Sequence, residues 1–430
     1  MTSIQIKPHL LKGSIQIPPS KSIAHRAIIC ASLARGRSII RNIEYSKDIE
    51  ATIEAMKELG TIIFQHDDYL EIDGTTTFFR NKLRIDCHES GSTLRFMIPL
   101  TLVYDANVHF YGEGRLGKRP LDVYYRIFDK QKENLIYLYR ENALDLYLQG
   151  HLHGGTFEIP GNVSSQFLTG LLFALPLMQE DSVIKVTTPL ESLFYIDLTL
   201  QVLRLYGIQI INHNYREFVI QGQQSYQPCD YDVEGDFSQA AFFLAAGALG
   251  NDVVCHGLNL DTKQGDYAMI VLLKQMNCQF VEKDNGYQII SQKLRPLSID
   301  GSQFPDIIPI LALVCALADG TSEIMNIGRL RLKESDRLKA TVEVINQLGG
   351  QAIEKEDAMI IHGVKKLKGG QVSSYNDHRM AMMEAIASTV CQNDVMIDDK
   401  DCVQKSYPSF WEDFESLGGD YRECIVGNSD

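Results

Sequence analysis

Apolar and polar positions along this chain change period in a fixed order. A short alternating stretch runs into a turn of small polar residues, and the turn opens an apolar stretch with helical spacing. The order predicts a strand, a turn and a helix, and it occurs six times. The turns follow Ile17 (PPSKSIAHRA), Ile85 (DCHESGSTLRF), Ile159 (PGNVSSQFLTG), Val233 (EGDFSQAAFF), Ile299 (DGSQFPDIIPI) and Val372 (SSYNDHRMAM). Successive anchors lie 68, 74, 74, 66 and 73 residues apart, so the copies fill the chain. A regular period of this kind marks a repeated architectural unit.

A second pattern follows several of the turns. Residues 48–60 (DIEATIEAMKELG) space their apolar positions as an amphipathic helix closed by Gly60, and residues 61–74 then alternate like a hairpin. The same plan recurs at 195–222 and 336–363, with a weaker copy at 266–292. Helical spacing, a glycine at the C-terminus and period-two alternation around polar turns carry these assignments. Each complete unit reads β-α-β-α-β-β. No linker of low complexity separates the units, so any domain boundary falls inside the repeat.

The polar helix starts change the picture from architecture to chemistry. A helix N-terminus presents unpaired N–H groups and partial positive charge, which suits anions. A repeat that only built a core would not need Ser, Lys and Arg at those ends. The chain has 430 residues, so two domains are the expectation. Its net charge of −14 argues against nucleic acid or an anionic membrane as partner. The longest strongly apolar run, near 307–318, is far short of the ~20 residues that span a bilayer. The N-terminus has no signal-peptide core, and nine scattered cysteines without a C-x-x-C read as reduced thiols, so a cytoplasmic location is expected.

Candidate ligands for anions follow from the turns. Lys21 offers a point charge and Arg26 a planar fork at the first helix start. Gly91 permits close backbone approach in the second turn. Arg115, Lys118 and Arg119 crowd the segment GEGRLGKRPLD. Ser164, Ser165, Gln166 and Ser192 offer hydroxyl and amide groups. Asp306 lies among apolar residues in FPDIIPILAL, where a carboxylate is either paired or raised in pKa, or else caps the helix. Lys333, Glu334 and Arg337 lie in RLRLKESDRL, and Asp377, His378, Arg379 and Lys405 follow.

Taken in order, PPSKSIAHRA, GKRPLD, SSQFLTGLLFALP, VEGD, KESDRL, NDHRMAM and QKSYPSFWED resemble the 5-enolpyruvylshikimate-3-phosphate (EPSP) synthase family. The resemblance runs from about Lys12 to Phe414. It implies transfer of the enolpyruvyl group of phosphoenolpyruvate to the 5-hydroxyl of shikimate 3-phosphate, with release of phosphate, in the shikimate pathway of aromatic amino-acid biosynthesis. It implies no metal and no organic cofactor, and a monomer. The implied fold is a two-domain inside-out α/β barrel with three β-α-β-α-β-β units per domain, helices inside and sheets outside. Residues 1–19 with 236–430 would form one domain and 20–235 the other, around a cleft that anionic substrates draw closed.

The resemblance also implies roles. Ser22 and Arg26 would hold the shikimate carboxylate, and Ser164, Ser165 and Ser192 the 3-phosphate. Lys21, Gly91, Arg119, Arg337, Arg379 and Lys405 would surround phosphoenolpyruvate. Lys21 and Gln166 would touch both substrates, and Lys333 the shikimate phosphate. Asp306 would bind shikimate 3-phosphate and take the 5-hydroxyl proton, and Glu334 would protonate the methylene carbon. Glu89 and Arg329 stand where the family often has Asn. The related transferase acting on UDP-N-acetylglucosamine usually carries a cysteine in the loop matching 112–120, and this loop has none. A non-catalytic anion binder would need neither Asp306 nor Glu334. Gly91 implies sensitivity to glyphosate, which competes with phosphoenolpyruvate in the family.

Overall fold

The computed structural model describes residues 2–131, 135–139 and 144–424. The chain divides into two compact units, Met1–Pro18 with Gly235–Asp430, and Pro19–Glu234. They are called here the outer-segment unit and the central unit. The residues at the chain ends, 1 and 425–430, lie outside the description. Twelve α-helices are present among the described residues: α1 (Lys21–Leu33), α2 (Lys47–Glu58), α3 (Gly91–Thr101), α4 (Asp122–Lys130), α5 (Ser165–Ala174), α6 (Leu193–Leu205), α7 (Phe237–Ala248), α8 (Ala268–Gln275), α9 (Ile308–Cys315), α10 (Arg337–Gln347), α11 (His378–Ser388) and α12 (Phe410–Ser416).

The odd-numbered helices in this order, α1 to α11, open at the six polar turns, and they are the cores. Every residue of α7, α9 and α11 is buried. A helix apolar on all faces can be stable only when it is enclosed, and Phe237, Phe242 and Phe243 are fully covered. The even-numbered helices are amphipathic. In α2, Ile49, Ile53 and Met56 face inward while Glu50, Glu54 and Lys57 do not. The helix expected at 48–60 is therefore present, and Gly60 sits just beyond its end at φ +105°, a conformation that favours glycine.

Among the described residues, six four-stranded sheets cover these helices, and all share one topology. Counting strands along the repeat, the order across the sheet is first, second, fourth, third. In one repeat, Gly155–Ile159 pairs in parallel with Ser182–Val186, which pairs antiparallel with Glu217–Ile220, which closes a hairpin with Ile210–His213. The crossover from first to second strand is the interior helix. Strands such as Tyr69–Asp73 bury alternate residues, here Leu70 and Ile72, against the helices.

The six-fold reading of the sequence needs one amendment. The strand before α1, Lys12–Gln16, pairs not with its own repeat but with Asp252–His256, the second strand of the fourth. The strand before α7, Tyr231–Asp232, pairs with Arg37–Arg41 of the first repeat. The first strands of these two repeats are exchanged, each within its own unit. The sixth sheet is completed by the N-terminal strand Ser3–Lys7, set between Val395–Ile397 and Asp420–Cys424.

Close packing inside the central unit rests on two local devices. A side chain at Gly170 of α5 would overlap the carbonyl of Arg95 and lie 2.5 Å from the Tyr124 hydroxyl, so α3 and α5 touch backbone to backbone. Pro99, inside α3, has no N–H to give to the carbonyl of Arg95. The Tyr124 hydroxyl donates to that carbonyl at 2.6 Å instead.

Candidate functional site

In the central unit the interior helices are buried except at their first turns. The only residues of α1, α3 and α5 that are not buried are Lys21, Ser22, Ser92 and Gln166. All four stand at helix N-termini, where free N–H groups favour an anion.

Their side chains and neighbours form a connected group. The Gln166 amide nitrogen donates to Ser92 Oγ at 2.9 Å, and its oxygen accepts from Arg95 Nη1 at 2.8 Å. A methyl placed on Gly91 would lie 2.5 Å from Arg119 Nη1 and 3.1 Å from Arg95 Nη1. Gly91, Arg95, Arg119 and Gln166 therefore share one small volume, and the absence of a Cβ lets the guanidinium of Arg119 lie against the backbone. The Lys21 ammonium pairs with Asp48 at 2.7 Å. Arg26 is buried and ties α1 to α6. Its Nε donates to Thr199 Oγ1 at 2.9 Å, Nη1 to the Ser22 carbonyl at 2.6 Å and Nη2 to the Tyr195 carbonyl at 3.1 Å. Burial lowers its pKa to about 10, which still leaves it a cation at neutral pH.

The serine cluster is assembled by two loops. Gly161 N–H donates to Thr188 Oγ1 at 2.9 Å, and Glu191 N–H to the Gly161 carbonyl at 3.1 Å. The loop before α5 thereby lies along the loop before α6. Ser164 caps α5, its Oγ accepting from Gln166 N–H at 3.3 Å, and Ser165 opens the helix. Ser192 caps α6 from the left-handed region, φ 56° and ψ 47°, and is buried. A non-glycine residue in that region costs of order 1–3 kcal/mol unless its surroundings hold it there.

The outer-segment unit gathers the remaining candidates around one guanidinium. Arg337 donates to three carboxylates: Asp377 through Nε at 2.8 Å and Nη2 at 3.1 Å, Asp306 through Nη1 at 2.9 Å, and Glu334 through Nη2 at 2.8 Å. Lys333 adds an ammonium 3.3 Å from Asp306. Burial opposes the charge of Arg337, but Asp377, Glu334 and Asp306 outweigh it and raise its pKa. Burial also opposes the charge of Asp306, and Lys333, Arg379 and Arg337 overcome it, so the carboxyl is held well below the usual range. Burial lowers the pKa of Lys333 against the pull of Asp306. Asp306 does not cap α9; the capping position is Ile307, without a side-chain bond. Of the readings open to Asp306, the paired carboxylate is the one present.

Arg379 is buried at the start of α11. It donates to the Ser238 carbonyl at 2.8 Å and to Ser238 Oγ at 2.7 Å. Ser238 is fixed in turn by Asp236, the cap of α7, which accepts from Ser238 N–H and Oγ–H at 2.8 and 2.6 Å. Lys405 is buried at the end of a short helical turn, Asp401–Lys405. Its neighbour Ser406 accepts from the Gln239 amide of α7.

The structure adds residues that the sequence did not single out. Asp48 was hidden because an acid in the first turn of an amphipathic helix is commonplace, yet it is buried against Lys21. Ser92 and Arg95 were read only as part of a string. Asp266 lies in a weak copy of the repeat. Burial, with Asp306 nearby, raises its pKa to about 7. The two departures from the family pattern are also placed. A Cβ at Gly114 would overlap the carboxylate of Glu89, so Glu89 turns onto the loop 112–119. Arg329 donates to the Ser302 carbonyl at 2.5 Å. Among the described residues, no group of three or more His, Cys, Asp or Glu could hold a metal ion.

Comparison with known proteins gives first the class and then the family. The fold matches an EPSP synthase structure from Acinetobacter baumannii with a TM-score of 0.80 at 22% identity, covering 99% of this chain and 100% of that one. It matches the enolpyruvyl transferase NikO from Streptomyces tendae at 0.78 and 16% identity, over 99% of both chains. These likenesses define the fold: an α/β enolpyruvyl-transferase architecture. The sequence profile of EPSP synthase (3-phosphoshikimate 1-carboxyvinyltransferase) matches residues 6–414. The 3-phosphoshikimate 1-carboxyvinyltransferase of Clostridium beijerinckii is 51% identical over 99% of this chain and 100% of its own. That of Clostridium perfringens is 53% identical over 97% and 99%. The chain belongs to the EPSP synthase family and is a 3-phosphoshikimate 1-carboxyvinyltransferase by descent.

Proposed function

We infer that this enzyme transfers the enolpyruvyl group of phosphoenolpyruvate to the 5-hydroxyl of shikimate 3-phosphate and releases phosphate. The observation that carries the inference is the pattern of burial: interior helices enclosed along their length but open at Lys21, Ser22, Ser92 and Gln166. Ser164, Ser165 and Ser192 take the 3-phosphate, at helix starts where hydroxyl and N–H donors meet partial positive charge. Ser22 and Arg26 take the shikimate carboxylate; Arg26 keeps two of its five N–H groups after the three bonds it makes inside the unit. Lys21, Gly91, Arg119 and Gln166 receive phosphoenolpyruvate from this unit, with Arg337, Arg379 and Lys405 from the other. Lys333 contacts the shikimate phosphate.

Asp306 is the base and Glu334 the acid. A carboxylate held well below its usual pKa is a weak base, and the cause of the depression points to the remedy. Substrate anions that draw Lys333 and Arg337 toward themselves remove the charges holding Asp306 down, and its proton affinity rises. Arg337, already bonded to Glu334 and Asp306, links both groups to one cation. The chemistry requires addition of the hydroxyl across the enol double bond and elimination of phosphate. The chain's part is to place two anions, accept the hydroxyl proton and give one to the methylene carbon during addition, and then take a proton back from the resulting methyl group as the C–O bond to phosphate breaks.

A phosphate-release assay tests this reading. Phosphate should appear only with phosphoenolpyruvate and shikimate 3-phosphate together. Release with UDP-N-acetylglucosamine in place of shikimate 3-phosphate would point to the related transferase. Gly91→Ala tests the pocket floor. Its methyl must push aside the Arg119 guanidinium, so glyphosate inhibition should weaken more than phosphoenolpyruvate binding, read from paired inhibition curves.

A further inference from the structure

Beneath the open helix ends of the central unit runs a chain of buried polar groups that touch no candidate substrate position. His25 Nδ1 lies 2.7 Å from Thr52 Oγ1. Thr52 Oγ1 lies 2.7 Å from Thr93 Oγ1. The Thr93 hydroxyl donates to Ser90 Oγ at 2.8 Å, and Thr93 N–H donates to the same oxygen at 3.2 Å. His25, Thr52, Thr93 and Ser90 are each no more than 1% exposed. The four come from α1, α2 and α3, and the last is the cap of α3.

The direction of this chain follows from counting protons. A hydroxyl has one proton to give. That of Thr93 goes to Ser90 at 2.8 Å, with the Asp48 carbonyl a more distant acceptor at 3.5 Å; with either acceptor it is spent, so Thr52 must donate to Thr93. The proton of Thr52 is then spent, and Thr52 must accept from His25. His25 is therefore the neutral tautomer with its proton on Nδ1. The other ring nitrogen agrees: Nε2 is buried with no hydrogen-bond partner among the described residues. A bare lone pair tolerates that better than an N–H, since buried donors without acceptors are the rarer defect. Burial in turn keeps the ring neutral, lowering its pKa to about 3. Asp48 acts against that shift, and Lys21 and Arg26 act with it.

We propose that the His25–Thr52–Thr93–Ser90 relay is a positioning device for the start of α3, setting where Gly91 and Ser92 stand and hence where Gln166 and Arg119 meet phosphoenolpyruvate. Cap and first turn move together: Ser90 is followed directly by Gly91, over which Arg119 lies, and by Ser92, which accepts from Gln166. The relay also binds α2 to α3, and α2 carries Asp48, the partner of Lys21. Hydroxyl-to-hydroxyl bonds at these lengths tolerate little change, so a loss anywhere along the relay is passed to the cap. This inference rests on Gly91, Arg119 and Gln166 receiving phosphoenolpyruvate.

The test is a pair of measurements on the full chain. Thr52→Val keeps the shape and removes the link. It should raise KM for phosphoenolpyruvate about tenfold, the scale of one buried hydrogen bond, with kcat and KM for shikimate 3-phosphate changed far less. Thr52→Ser, which keeps the hydroxyl, should restore KM. Met56→Ala, a cavity on the same helix, should lower the melting temperature without that split. An unchanged KM in Thr52→Val, or the same split in Met56→Ala, overturns the proposal. Arg119→Ala separates the two levels: if it too leaves KM for phosphoenolpyruvate unchanged, the underlying site assignment has failed rather than the relay. Should Thr52→Val not fold, neutron diffraction from the wild type decides. A proton on His25 Nδ1 supports the relay as drawn, and one on Nε2 overturns it.

Discussion

The two units are built from the same repeat, yet they end their interior helices differently. In the central unit the caps of α1, α3 and α5 are Ser20, Ser90 and Ser164. In the outer-segment unit the caps of α7, α9 and α11 are Asp236, Ile307 and Asp377. A neutral cap leaves the positive end of the helix available to a ligand, whereas the aspartate caps of α7 and α11 neutralise it from within; α9, capped by Ile307, does not share that device. The cationic side chains differ to match. Lys21, Arg26, Arg95 and Arg119 accompany the serine-capped helices, with Asp48 as a buried acid among them. Arg337 is surrounded by Asp306, Glu334 and Asp377. One architecture thus presents cationic side chains at open helix ends in one unit and a set of carboxylates coupled through a shared guanidinium in the other.

Variants that exchange these behaviours would break the comparison. The largest effect belongs to the carboxylates. Asp306→Ala should lower kcat by roughly 10²–10⁴, the range for losing a positioned acid or base, while binding of shikimate 3-phosphate survives better than turnover. Near-normal kcat in steady-state assays would remove Asp306 from the chemistry and leave the outer-segment cluster as structure only.

Stability should separate the units next. Arg337→Met leaves three carboxylates without their shared cation. It should cost roughly 3–5 kcal/mol, the penalty for breaking a buried ion pair from one side, measured by urea unfolding. Lys21→Met takes away the cation facing one buried carboxylate, Asp48, and should cost clearly less. Equal losses would mean that the two clusters are not different in kind.

Binding should show the converse. Lys21→Ala and Arg119→Ala should each weaken phosphoenolpyruvate by roughly 1.5–3 kcal/mol, the scale of charge-assisted hydrogen bonds, with kcat less affected than in Asp306→Ala. An unchanged KM for phosphoenolpyruvate in both would contradict the assignment of the central unit.

The smallest effect is a dependence of stability on pH, opposite in sign for two buried groups. Glu384 in α11 is fully buried, and its two oxygens have no hydrogen-bond partner among the described residues. Burial, then Asp398 and Asp377, raise its pKa well above the usual 4.5. The folded state therefore holds a proton that the unfolded chain releases above about pH 4.5, and stability contributed by neutral Glu384 is lost as pH rises. His25, lowered from 6.5 to about 3, does the reverse: its contribution is present above pH 6.5 and is lost as pH falls toward 3. Glu384→Gln should flatten the alkaline limb of a melting-temperature profile and leave the acid limb in place. An unaltered alkaline limb would show that Glu384 does not titrate in this range.

Much of the fold was legible because it is local. The helices at 48–60 and 195–207 and their hairpins follow from spacing, and Gly60 and Gly207 close them at positive φ. The exchange of first strands between the first and fourth repeats was not legible in the period; only the domain bounds that the resemblance implies, 1–19 with 236–430 and 20–235, pointed to it. Lys12–Gln16 and Tyr231–Asp232 each precede a polar turn as every other first strand does, and period cannot reveal which neighbour a strand will join. The site divides in the same way. Lys21, Ser164, Gln166 and Arg337 are visible in the polar turns and the charged string that the motifs mark. Asp48 and the Thr52–Thr93 link look like ordinary helix residues until α2 packs on α3.

By itself, then, the sequence determined the number of repeats, the helices that must be enclosed, the polar ends of those helices and the family to which the motifs point. These depend on period, propensity and residue type, which act over a few residues. Tertiary structure alone decided that Asp306 is a paired carboxylate rather than a cap, that Glu89 turns onto its neighbouring loop, and that His25 is a neutral link in a relay. Each of those outcomes depends on which groups are brought within about 3 Å after burial has removed water, where one partner more or less sets the charge. That proximity is a property of the packed chain and is not written at any single position along it.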